Sequence, residues 1–103
     1  MRNQMVFRIQ PELKRKIAHT SIEQNINMSD LVNNIIQDTD LNNLNLEELS
    51  KQPKLSRKNV QVAYQIEDIN RKKVLNIIHN DQFNITNSQF LNSLFEYYFK
   101  SNK

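Results

Sequence analysis

At 103 residues the chain is long enough for one compact domain, or for two small units sharing a core. It has no Gly and no Cys, which excludes Gly-rich phosphate loops, disulfides and thiolate metal sites. The net charge of +3 is modest, and no apolar run approaches the roughly 20 residues of a membrane span.

The first element is "QMVFRIQ" (4–10), where Met5, Phe7 and Ile9 alternate with Gln4, Val6 and Arg8. Period-two alternation reads as a strand with one buried face. Pro11 suits the first turn of a helix, and Glu12 the positive end of its dipole. Leu13, Ile17 and Ala18 begin that helix's apolar stripe. Asn25 falls where the helix should end, and in a chain without Gly it is the residue that tolerates a left-handed turn. Asn27 and Asp30, three apart, read as the capping box of a second helix, with Met28, Leu31, Val32, Ile35 and Ile36 as its apolar face.

Residues 38–58 read as a connector between a first unit, 1–37, and a second, 59–103. It opens with Asp38, Asp40, Glu47 and Glu48 and closes with Lys51, Lys54, Arg57 and Lys58. Leu41, Leu44 and Leu49 fit a short helix. "QPKLSRK" reads as extended, since Pro53 disfavours helix before it.

The second unit repeats the order. "VQVAYQI" (60–66) alternates Val60, Val62, Tyr64 and Ile66 with Gln61, Ala63 and Gln65. Ile69, Val74, Ile77 and Ile78 mark a helix, and Asn84 stands at its expected end. Thr86 and Gln89 form the second capping box, ahead of Phe90, Leu91, Leu94, Phe95 and Tyr98. "NINMSDLVNNI" (25–35) and "NITNSQFLNSL" (84–94) share Asn, Ile, Ser and Asn at matching places. Ile9 to Asn25 is shorter by two residues than Ile66 to Asn84, so the second helix or its turn is slightly longer. The fold class is therefore mainly α with a short β-ribbon: a strand–helix–helix unit, twice.

A lone strand with two helices cannot close a core, because its strand needs a partner. This pattern, "FRI–PEL–I" followed by "NI–MSDLVNNII", resembles the ribbon-helix-helix family, the superfamily of the Arc and MetJ repressors, present here as a tandem duplication. The resemblance implies an antiparallel two-stranded ribbon whose outward side chains enter the DNA major groove. It implies base-reading roles for Gln4, Val6 and Arg8 and for Gln61, Ala63 and Gln65. It also implies phosphate binding by the amides around Met28–Ser29 and Asn87–Ser88, with the two Ser hydroxyls assisting. Lys54, Arg57 and Lys58, just before the second strand, are further phosphate candidates. Arg suits guanine and Gln suits adenine in bidentate geometry, while Val6 and Ala63 suit a thymine methyl.

Family members usually carry one unit per chain and pair symmetrically. Here the reading positions differ between units, so an intrachain pseudo-dimer with a non-palindromic site is expected. Pairing of each unit with its counterpart in a second chain is the other possibility. The triplets Lys14–Lys16 and Arg71–Lys73 read as solvated helix surfaces. The aromatic cluster Phe95, Tyr97, Tyr98 and Phe99 reads as core and connector packing, or as a contact for self-association on DNA.

His19 and His79 have no further His or Cys at ligand spacing, and no catalytic triad or carboxylate pair emerges. No metal, cofactor, small-molecule substrate or enzymatic activity is expected. The implied partner is double-stranded DNA, for a transcriptional repressor or a plasmid accessory protein of transfer, partition or copy control. The alternative is a protein-interaction module of the same fold, disfavoured by how soon the chain stops after Tyr98. "MRNQMVFRIQPEL" lacks a signal peptide's apolar region, and the sixteen Asn suggest an AT-rich bacterial genome; a cytoplasmic location follows.

Overall fold

A computed structural model describes residues 1–51, 58–79 and 85–101. Strand β1 (Arg2–Ile9) leads through Gln10 into helices α1 (Pro11–Glu23) and α2 (Met28–Asp38). A 3-10 turn (Leu41–Asn43) and a short helix, α3 (Leu46–Ser50), follow. Then come β2 (Val60–Glu67), α4 (Asp68–His79) and α5 (Asn87–Ser101). The molecule is mainly α around one two-stranded antiparallel sheet, each strand followed by its helices.

The register carries the symmetry. Arg2 lies opposite Glu67, Gln4 opposite Gln65, Val6 opposite Ala63 and Arg8 opposite Gln61. Val6 and Ala63 are also equivalents in the repeat, so a pseudo-twofold axis passes between them. Each unit therefore meets the other as two identical subunits would across a dimer axis. The strand pairing is within the chain, and the fold resembles a tandem ribbon-helix-helix pseudo-dimer. β1 starts at Arg2, earlier than the alternation indicated, because Arg2 and Glu67 face each other and Asp68 N–H donates to the Met1 carbonyl at 3.0 Å.

The ribbon's underside is apolar. Met5, Phe7 and Ile9 from β1 and Val62, Tyr64 and Ile66 from β2 are all buried in one cluster with residues of every α-helix. The Phe7 ring lies 5.9 Å from Tyr64 and 6.1 Å from Phe95. A two-stranded ribbon is marginal by itself, so these helices are what hold it. Leu41, Leu44 and Leu49 are buried too, which packs the described part of the connector onto the core. The extended reading of "QPKLSRK" falls mostly outside the described residues. Tyr97, Tyr98 and Phe99 are half-buried against the same core.

Two residues expected in the core are outside it. Ile69 is 77% exposed, and Asn70 is buried in its place. Chain passes from Glu67 directly into Asp68 with no linker, so the phase of α4 turns Asn70, Val74 and Ile78 inward and leaves Ile69 out. Met28, the first residue of α2, is exposed rather than part of its apolar face.

Helix ends follow local chemistry. Asn25 has φ 58°, and Ile26 N–H reaches the Ser21 carbonyl at 3.0 Å, closing α1 with a Schellman motif. Asn84 lies outside the described residues. Thr86 and Gln89 form a reciprocal capping box, each backbone N–H donating to the other's side chain at 3.1 Å. Asn27 accepts from Asp30 N–H at 2.7 Å, but the Asp30 carboxylate turns to Arg2. Helix α1 has 13 residues and α4 has 12 up to His79; residues 80–84, where the second unit's extra length is expected, lie outside the described residues.

Candidate nucleic-acid interface

Gln4, Val6 and Arg8 from β1 and Gln61, Ala63 and Gln65 from β2 share the ribbon's outer face, because alternation has buried every second residue between them. They stand as cross-strand pairs, Gln4 with Gln65, Val6 with Ala63 and Arg8 with Gln61. Val6 is half exposed, an apolar residue at the centre of a polar face. A two-stranded ribbon fits the major groove, which is about 12 Å wide. Arg8 is the least exposed of the six, because its guanidinium donates to the Asn59 carbonyl at 2.7 Å and lies along the ribbon end.

The amide ends of α2 and α5 adjoin that face, and the repeated Ser and Asn residues are the reason. Each strand of a two-stranded ribbon has one unpaired edge, with N–H and C=O groups that need partners. On β2, Gln65 N–H donates to Ser29 Oγ at 2.9 Å and the Gln65 carbonyl accepts from Asn33 Nδ2 at 2.9 Å. Glu67 N–H donates to Asn33 Oδ1 at 2.8 Å. On β1 the equivalents are Arg8 N–H to Ser88 Oγ at 3.0 Å, Asn92 Nδ2 to the Arg8 carbonyl at 2.8 Å, and Gln10 N–H to Asn92 Oδ1 at 2.9 Å. Each second helix thus stitches its first turn to one edge of the ribbon, beside the outward side chains.

The phosphate candidates Met28, Ser29, Asn87 and Ser88 all lie in those first turns. The Ser hydroxyls accept from the strands, which leaves each its own proton to donate. Arg2, Asn27, Met28, Ser29, Ala63 and Gln65 line an open depression of about 400 Å³ at the α2 end. Lys58 is exposed, immediately before Asn59. Lys54 and Arg57 lie outside the described residues.

Arg2 was not singled out by its sequence context. Its guanidinium donates to Glu67 at 2.7 Å and pairs with Asp30 at 2.7 Å. The hydrogen bond to Glu67, then that to Asp30, holds its proton more tightly than usual. Only the strand register brings these residues together. Asn3 also donates to Asp68 at this end, at 2.6 Å.

The basic triplets lie elsewhere. Lys14, Arg15 and Lys16 are exposed on α1, where Lys16 pairs with Glu12 at 3.7 Å and stands 6.0 Å over the Phe99 ring. Lys73 donates to the Ile36 and Gln37 carbonyls at 3.0 and 3.4 Å, capping the negative end of α2. Asp38 and Asp40 are exposed at that same far end, well away from Ser29. Among the described residues no cluster of His, Cys, Asp or Glu is placed to hold a metal ion, and no helix is long and apolar enough to cross a membrane.

Compared with known proteins, the chain matches no family model, no curated protein and no solved structure.

Proposed function

We propose that this chain is a sequence-specific double-stranded DNA-binding protein of the ribbon-helix-helix kind. In this reading the ribbon lies in the major groove, where Gln4, Val6, Arg8, Gln61, Ala63 and Gln65 read base edges. The amides at Met28–Ser29 and Asn87–Ser88 hold the flanking phosphates, helped by Lys58. The role is that of a transcriptional repressor or of a plasmid accessory protein in transfer, partition or copy control. Its location is then the bacterial cytoplasm, on nucleoid or plasmid DNA.

One observation carries the reading. Six outward side chains with hydrogen-bonding capacity or methyl surface share a rim with two helix amide ends, held there by Ser29 and Ser88. Base contacts specify and phosphate contacts position, so a reader needs both on one surface. The test is an anisotropy titration of a labelled duplex taken from the region flanking the protein's own gene, against a scrambled duplex, at several salt concentrations. Tight binding to the first alone, falling steeply with salt, is the expected result. Absence of binding to both at low salt would reject the reading and leave an interaction module of the same fold.

A further inference from the structure

The two ends of the proposed reading face are chemically unequal. At one end, Gln65 adjoins the first turn of α2, and three carboxylates, Asp30, Glu67 and Asp68, gather around Arg2 and Asn3. Asp30 sits within the first turn of α2, where a carboxylate already complements the positive end of the helix dipole. An incoming phosphate there meets a neighbouring carboxylate and a guanidinium engaged twice over.

At the other end, Arg8 adjoins the first turn of α5 through its N–H bond to Ser88. That turn contains no acidic residue; Gln89 fills the place of Asp30. Lys58 follows along the same end of β2. Other carboxylates lie farther out: Glu96, held by Gln10, is more than two turns along α5 from Ser88, and Glu47 and Glu48 are on α3, whose Leu49 carbonyl accepts from Gln89 Nε2 at 3.4 Å. The guanidinium therefore adjoins the helix whose own first turn carries no carboxylate, and the Gln adjoins the one whose first turn does.

We infer that the protein binds an asymmetric duplex in one orientation: its Arg8–α5 end grips a half-site carrying guanine and anchors the phosphate there, while its Gln65–α2 end makes a weaker contact with a half-site carrying adenine. The inference rests on the DNA-binding reading above. Its chemistry is the match of Arg to guanine O6 and N7 and of Gln to adenine N6 and N7, at positions related by the pseudo-twofold axis. Phosphate affinity then follows the local charge.

The test takes the full chain through selection from a randomised duplex pool, followed by phosphate-ethylation interference on the enriched duplex. The expected site has G·C on one flank and A·T at the mirrored position on the other, with interference strongest on the G·C flank. Arg8→Gln gives β1 the residue β2 already carries at the equivalent position. It should cut the guanine preference about tenfold or more and move the selected site toward a palindrome. Asp30→Asn should strengthen interference on the weaker flank. A palindromic wild-type site with equal interference on both flanks would overturn the polarity and leave DNA binding intact. No enrichment of any duplex at low salt would overturn both.

Discussion

Asn33 and Asn92 hold opposite edges of the same ribbon by the same bonds, each donating to one strand carbonyl and accepting from a strand N–H two residues on. Each also donates back to its own helix, to the Ser29 and Ser88 carbonyls at 2.8 and 2.6 Å. Asn33 accepts a further bond from Asn70 at 2.9 Å, so its amide has two donor and two acceptor contacts and is fully used. Both side chains are buried, which makes an unmade bond costly. Asn33→Ala and Asn92→Ala should each destabilise the fold by about 2–3 kcal/mol, with Asn33→Ala the worse. Urea denaturation of the two variants measures this. Losses under about 0.5 kcal/mol would show the edges satisfied some other way.

Tyr64 is buried on the ribbon's underside, and its hydroxyl has no hydrogen-bond partner among the described residues. Its equivalent in the first unit is Phe7, so the site already accepts a ring without the hydroxyl. Tyr64→Phe should stabilise the protein by about 1 kcal/mol, which for a domain of this size raises Tm by roughly 4–8 °C. Burial also pushes the phenol above its ordinary value of 10.0. The folded state then holds the phenolic proton more tightly than the unfolded state. That contribution is intact below pH 10 and is lost as pH rises above it. Stability of the wild type should therefore fall more steeply than that of Tyr64→Phe as pH rises above 10. Parallel curves would mean that the ring is not buried as described.

Much of this architecture is legible in the sequence because it is periodic. Met5, Phe7 and Ile9 can be assigned inward without any knowledge of what covers them, and so can Val62, Tyr64 and Ile66. The matching Ser and Asn of the two repeated stretches are also visible, but Ser29 and Ser88 drew a role only as an aid to phosphate binding, and Asn33 and Asn92 drew none. Their use as edge partners depends on which strand atoms lie opposite, and that register is set by pairing across more than fifty residues. Arg2 is hidden for the same reason, since nothing near it in sequence points to Glu67. Ile69 misleads in another way: its apolar character suggests burial, whereas the phase of α4 is set by the abrupt strand-to-helix junction. The ribbon's outer face is legible only as alternation, and its pairing of Arg8 with Gln61 comes from the register.

Asn25 is a local and independent case. At φ 58° it occupies the left-handed region that Gly adopts freely and β-branched residues avoid. Asn25→Gly should leave stability within about 0.5 kcal/mol of wild type, whereas Asn25→Val should cost roughly 1–2 kcal/mol. Thermal melts of the pair check this. Equal melting of the two variants would show that the turn does not require that conformation.

Pairing within the chain fixes the expected assembly. Arg2 meets Glu67 only when a first unit pairs with a second. Two first units pairing would instead set Arg2 opposite Gln10. Sedimentation equilibrium should give the mass of one chain, 12.3 kDa, across the micromolar range. Small-angle scattering should give a radius of gyration near the 12.9 Å of the Cα trace. A stable dimer at these concentrations would mean that units pair between chains.

Arg8 is where the proposed base reading is most exposed to test. Its guanidinium is engaged with the Asn59 carbonyl at 2.7 Å, and contacting a base means giving up that bond. Releasing one hydrogen bond costs about 0.5–1.5 kcal/mol net, while a bidentate guanine contact is worth about 1–3 kcal/mol. The exchange is favourable only if both guanine acceptors are reached, so Arg8 contributes to discrimination more than to raw affinity. Arg8→Ala should therefore weaken binding to the selected duplex by about 5- to 150-fold and to a scrambled duplex by much less. The slope of log affinity against log salt should change by no more than about one, since at most one phosphate contact is lost with it. Equal losses on both duplexes would remove Arg8 from the base-reading set and make it a backbone contact.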